Sequence, residues 1–218
     1  MHYKKCVKLT LDTAMYMLFI ILSGQHLTSA YVHEWLGLTA LVFVLLHSIM
    51  NYRWYISLFK GKYTILRTLR DFVNILLVIF LTACFAGSLM VSGVVFKAVR
   101  IPNVMLGRHL HMVGSAWCFV LMSIHMGIHI RVPKSPAPKA IFYAIGLFVS
   151  AYGVYQFFVR RFYEELFLIV EFKWFDYQQS IIFYLLKTVC LSVAFAMISI
   201  LVKRCIIFVK EHKYAKDN

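Results

Sequence analysis

Six runs of about twenty apolar residues, each closed by charged or turn-forming residues, decide what this 218-residue chain can become. They fall roughly at Leu9–Leu27, His33–Tyr52, Phe72–Val95, Leu106–Ile130, Ala140–Val159 and Ser180–Val202. A bilayer core about 30 Å thick is spanned by a helix of about that length. Lipid offers a bare backbone no hydrogen-bond partners, so each run must satisfy its own N–H and C=O groups as a helix. The expected fold is therefore an all-α polytopic membrane bundle of about six transmembrane helices. Composition agrees: 61% of residues are hydrophobic and 15% charged, where a soluble domain carries about a quarter charged, and mean hydropathy is +0.76. The sequence shows no internal repeat, low-complexity tract or soluble domain.

A net charge of +14 would suit nucleic acid if it lay on one soluble face, but the basic residues sit between the apolar runs. There they act as an orientation signal. With the N-terminus inside, the inner segments carry Lys4, Lys5, Lys8, Arg53, Lys60, Lys62, Arg67, Arg70, Arg131, Lys134, Lys139, Lys203, Arg204, Lys210, Lys213 and Lys216. The outer segments carry only Lys97, Arg100, Arg108, Arg160, Arg161 and Lys173. The bias predicts both termini in the cytoplasm. A basic start, an apolar stretch and Thr28-Ser29-Ala30 also fit a signal peptide, although the run is long for one. The five cysteines form no CxxC pair and no CxxCH haem-attachment motif. The mixed charged and aromatic segment Arg160–Gln179 suits an amphipathic stretch on the outer surface, or a solvated loop with aromatic anchors.

Nine histidines are present, and four stand where lipid-facing residues would be expected. His33 and His47 bracket the second span; His111 and His125 bracket the fourth. Both pairs are 14 residues apart, and 14 helical steps return to within roughly 40° of the starting direction while climbing about 21 Å. Spans two and four run in the same direction, so His33 comes level with His111 near the outer face and His47 with His125 near the inner face. Two levels with one imidazole from each helix form two bis-histidine sites, the axial arrangement of a haem iron. His109 and His125 are 16 residues apart, which places them about 160° from one another on the helix. His129 shares a face with His111 but lies about 27 Å along the helix, so it is the reserve inner ligand. Histidine in a membrane helix also serves as an interhelical hydrogen-bonding group, and a zinc or copper site is a further alternative. No Asp or Glu lies in the middle of a span, which weakens proton-relay and metal-transport readings.

Gly37 and Gly114 follow His33 and His111 by about one turn, where a missing side chain lets a flat group, or a neighbouring helix, come close. Arg100 and Arg108 outside, and Arg53, Lys60, Lys62 and Arg131 inside, are candidates to pair with haem propionates as well as topological signals. Met50, Met112, Met122 and Met126 are packing residues if the histidines fill the axial positions.

Paired histidines 14 apart on the second and fourth helices resemble the di-haem four-helix core of the cytochrome b subunit of quinol oxidoreductases. More closely, HEWLGLTALVFVLLHSIMNYRWYISLFKGKYT and HLHMVGSAWCFVLMSIHMGIHI resemble the bacterial flavinylation-associated cytochrome family. The likeness covers about residues 8–132, which would form the di-haem core; residues 133–218 would add two helices, the outer interfacial segment and a cytoplasmic tail. It implies two haem b groups on His33, His47, His111 and His125, and electron transfer across a bacterial cytoplasmic membrane. The receiving partner would be an extracytoplasmic flavin-carrying protein or another redox subunit, since the chain has no flavin-attachment sequence and no nucleotide-binding glycine loop. Iron with both axial positions filled transfers electrons rather than performing substrate chemistry. The competing functions are quinol oxidation or ferric reduction at a membrane edge, with a quinone as partner, and a non-redox metal transporter.

Overall fold

The computed structural model describes residues 2–99, 101–171 and 178–216. Helix accounts for 80% of the chain, and the described residues contain no strand. In order, the helices are α1 (His2–Leu22), α2 (Ala30–Met50), short α3 (Tyr52–Ser57), α4 (Ile65–Val91), α5 (Val104–His129), α6 (Pro136–Val159), short α7 (Tyr163–Leu166) and α8 (Ile181–Lys216), with a 3-10 turn at Gln25–Leu27.

Local chemistry sets the helix starts. The Ser29 hydroxyl accepts from Val32 N at the head of α2, and the Thr64 hydroxyl accepts from Arg67 N at the head of α4. Each supplies a partner for a backbone donor that the first turn leaves open. Asn103 begins α5 at φ 74°, a region its short polar side chain tolerates, and accepts from Leu106 N at 3.0 Å. Pro136 occupies the first turn of α6, where its missing N–H is not needed.

Five of these helices, α2, α4, α5, α6 and α8, are long and apolar enough to cross a membrane. The chain is thus an all-α polytopic membrane bundle. The helix at the expected first span, α1, lies outside that group; its 21 residues include Lys4, Lys5, Lys8 and Asp12. The outward surface is apolar, with Phe148, Ile145, Phe158 and Phe183 all exposed, as a surface facing lipid requires. Two helices outrun their expected limits. α4, the third expected span, begins at Ile65 instead of Phe72, with Thr64 as its cap, and the last continues past Val202 to Lys216.

The bundle is tight in one half and open in the other. α5 lies against α4 on one side and α8 on the other, and α6 packs on α8. Missing side chains allow this approach. A Cβ on Gly87 would stand 2.5 Å from His111 N, and one on Gly114 would stand 2.6 Å from Cys84 N, so α4 and α5 meet nearly backbone to backbone. Gly127 meets Ala196 and Ser199 on α8, and Gly153 on α6 meets Cys190. Within this half Ser123 and Ser192 are fully buried and hydrogen-bond at 2.9 Å, and Tyr16 of α1 donates to Ser192 at 3.3 Å. By contrast, α2 packs along α1 and shares no comparable interface with α4 or α5; Ala40 is its only buried residue.

The start of the segment expected on the outer surface turns inward instead. Phe162 and Leu166 are buried with Ile20, Ala116, Phe119, Val120 and Leu191, and Leu166 O accepts from Trp117 Nε1 at 3.0 Å. Arg160 donates to Thr188 Oγ1 at 3.0 Å and lies over the Tyr184 ring. Phe162 and Leu166 gain apolar burial there, whereas Phe167 stays exposed. Residues 172–177 of the same segment fall outside the described residues.

Candidate functional site: two levels of histidine

The four histidines expected to act together lie on α2 and α5, which run in the same direction. At one end, Glu34 of α2 holds the turn after α4, so α2 starts where α4 finishes and α5 begins. At the other end, the last turns of α2 and α5 carry His47 and His125. Two levels of imidazole follow.

In the first level the rings of His33 and His111 face each other across the open side of α2, their centroids 6.0 Å apart and their planes 84° apart. His111 Nδ1 lies 3.1 Å from the carbonyl oxygen of Cys84. His33 Nδ1 is buried without a hydrogen-bond partner, and so is Nε2 of His109, which points to another side of α5 from His111. Gly37, one turn along α2, faces open space: an added Cβ would meet no atom within 4 Å. Gly114 differs, because its missing side chain is taken up by the contact with α4.

The second level is more crowded. His125 Nδ1 lies 2.7 Å from Asn74 Oδ1, and His47 Nδ1 lies 2.7 Å from Asp12 Oδ1. The His125 ring sits tilted against His129, centroids 4.7 Å apart. His47 is within electrostatic reach of both His125 and His129, without the ring contact seen at the first level. Expected ligand and reserve ligand therefore stand side by side.

Three of the four imidazoles share one chemical setting. Carbonyl and carboxylate oxygens only accept, so a neutral ring facing one carries its proton on Nδ1 and leaves a lone pair on Nε2. Metal-bound histidines are commonly held this way, the second nitrogen donating to an oxygen that fixes ring and tautomer. The separation at the first level also fits a metal between the rings. With metal–nitrogen bonds of about 2 Å and each centroid about 1.1 Å behind its nitrogen, an in-line pair places centroids roughly 6 Å apart. A buried orphan nitrogen on His33, a ring spacing of that size and a helix packed mainly on α1 are together what a flat, bis-ligated group needs. Among the described residues no cluster of three or more His, Cys, Asp or Glu side chains is arranged for a bare metal ion.

Sequence reasoning missed the residues that support this arrangement. Asp12 and Asn74 are polar side chains near the inner ends of apolar runs, and that misplacement is the signal that would have found them. Glu34 sits beside His33, and its carboxylate accepts from Ser92 Oγ at 2.7 Å and from the backbone N–H of Gly93, Val94 and Val95. It staples α2 to the end of α4 at the first level. Of the basic residues considered for propionates, Arg131 lies near Lys203. Arg100 falls outside the described residues. Compared with family models, curated proteins and solved structures, the chain matches none.

Proposed function

We propose that this protein is a membrane b-type cytochrome that carries electrons between the two faces of the bilayer through two haems. His33 and His111 ligate one, His47 and His125 the other. The observation that carries the reading is the pair of histidine levels on parallel helices, with Nδ1 of His47, His111 and His125 each held by an oxygen so that Nε2 is left to bind. When bound, haem supplies iron that cycles between ferric and ferrous states.

The chain's own residues do the rest. Cys84 O, Asn74 and Asp12 hold three rings in one tautomer, and the open side of α2 beside Gly37 admits a flat group. The apolar surroundings exclude water, and two ligands per iron leave no position for substrate, which makes the chain a conduit rather than a stand-alone enzyme. The charge bias of the connectors supports an orientation with both termini inside, and the resemblance to the flavinylation-associated cytochromes supports a bacterial cytoplasmic membrane. The outer haem then faces an extracytoplasmic flavin-carrying protein or another redox subunit.

The test is a reduced-minus-oxidised spectrum of protein purified from haem-replete cells. It should show a b-type signal with two haems per chain, and His33→Ala and His111→Ala should each retain one. A protein without that signal would refute the reading, and one in which both variants keep two haems would refute the pairing.

A further inference from the structure

A second feature lies at the end of the bundle where α4 begins and α5 ends, beside His129. A cavity of about 310 Å³ opens there between the first turns of α4, the last turn of α5 and the middle of α8. Arg67, Arg70 and Lys203 line it together with Thr64 and His129, and no carboxylate does. Asp71, 3% exposed, sits behind the lining and pairs with Arg67 at 3.4 Å and Arg70 at 3.0 Å. Two of the three lining cations thus share one carboxylate, and Arg131 and Arg204 add charge close to Lys203.

The cations are held in place but not used up. Arg67 is anchored by the carbonyls of Ser57, Lys60 and Lys62. Lys203 donates to the carbonyls of Ile128 and Ile130, which leaves one of its three protons for another acceptor. Arg70 meets Asp71 through Nε and one terminal nitrogen, so its other terminal nitrogen stays free to donate. The wall also has an apolar side, Leu66, Leu69 and Ile128, continuous with lipid-facing Ile65 and Phe72.

We infer that this cavity binds a phosphate group, and that the phosphate belongs to an anionic phospholipid entering sideways from the bilayer. A basic pocket between helices at the membrane surface satisfies a phosphodiester, and its apolar wall receives the glycerol and upper acyl chain.

The experiment is native mass spectrometry of the full-length protein in detergent, titrated with phosphatidylglycerol, phosphatidylcholine or inorganic phosphate. Wild type should retain one phosphatidylglycerol in preference to phosphatidylcholine. Arg70→Gln with Lys203→Gln should weaken that binding about fivefold per charge removed, the factor that matches ~1 kcal/mol for each basic residue near an anionic surface. Lys60→Gln with Lys62→Gln removes the same charge outside the cavity and should leave binding unchanged. Displacement of the lipid by inorganic phosphate at similar concentration would assign the site to free phosphate. Equal retention of both lipids, or an equal loss in the two double variants, would overturn the inference. If the first double variant does not fold, Lys203→Met should lose the lipid where Lys203→Arg keeps it.

Discussion

The two histidine levels share a 14-residue spacing on the same pair of helices, yet their surroundings differ. Of the two levels, proposed above as outer and inner, the outer one of His33 and His111 is spare: two facing rings, one of them with an unpaired Nδ1, sealed by the Glu34 staple. The inner level is rich: three rings, a carboxylate, an amide and a neighbouring wall of arginine and lysine. Helical period places the histidines, whereas the environment of each one is written by residues elsewhere in the chain. Two sites of one design are thereby given different chemistry.

The largest effect that would break this comparison is at the inner level, where two candidate ligands adjoin. His125→Ala should abolish the inner haem, and His129→Ala should leave two haems per chain by haem quantification; the reverse result assigns the ligand to His129. A smaller effect tests the difference in support. Asn74→Leu removes the acceptor behind His125 and should weaken inner haem retention roughly 10–100-fold, as loss of an outer-shell partner does. The outer haem should be untouched, because its acceptor is the backbone of Cys84, which no side-chain replacement removes. Glu34→Ala takes away the staple and should cost about 1–2 kcal/mol in unfolding stability, with the loss appearing as faster proteolysis after Ser92. Least in magnitude is a shift of potential. Positive charge near the iron favours the less positive ferrous state, so Arg70→Gln should lower the inner midpoint potential by tens of millivolts, on the order expected for local charge, in a redox titration. An unchanged inner potential would show that Asp71 already neutralises Arg70.

The helices and the histidine levels were legible in the sequence because both rest on local rules: apolar length and a 3.6-residue period. What escaped depends on which helices become neighbours. Gly87 and Gly107 carry no spacing that announces a contact, and they matter only because α4 lies on α5. Arg67 and Arg70 were counted as loop charge, and the structure places both inside α4, tied to Asp71. Phe162 and Leu166 read as interfacial residues because aromatic and charged residues alternate around them, and only the depression beside Trp117 decides that they turn inward.

The position of α8 bears on how the protein is made. Leu191, Thr188 and Ser192 are among its most deeply buried residues, and Ser123, the partner of Ser192 on α5, was synthesised 69 residues earlier. While the ribosome is still translating the middle of the chain, α5 waits in the membrane with Ser123 lacking its Ser192 partner and Gly127 uncovered. A chain cut short after Val159 would therefore carry every expected ligand and no completed core to hold them in register.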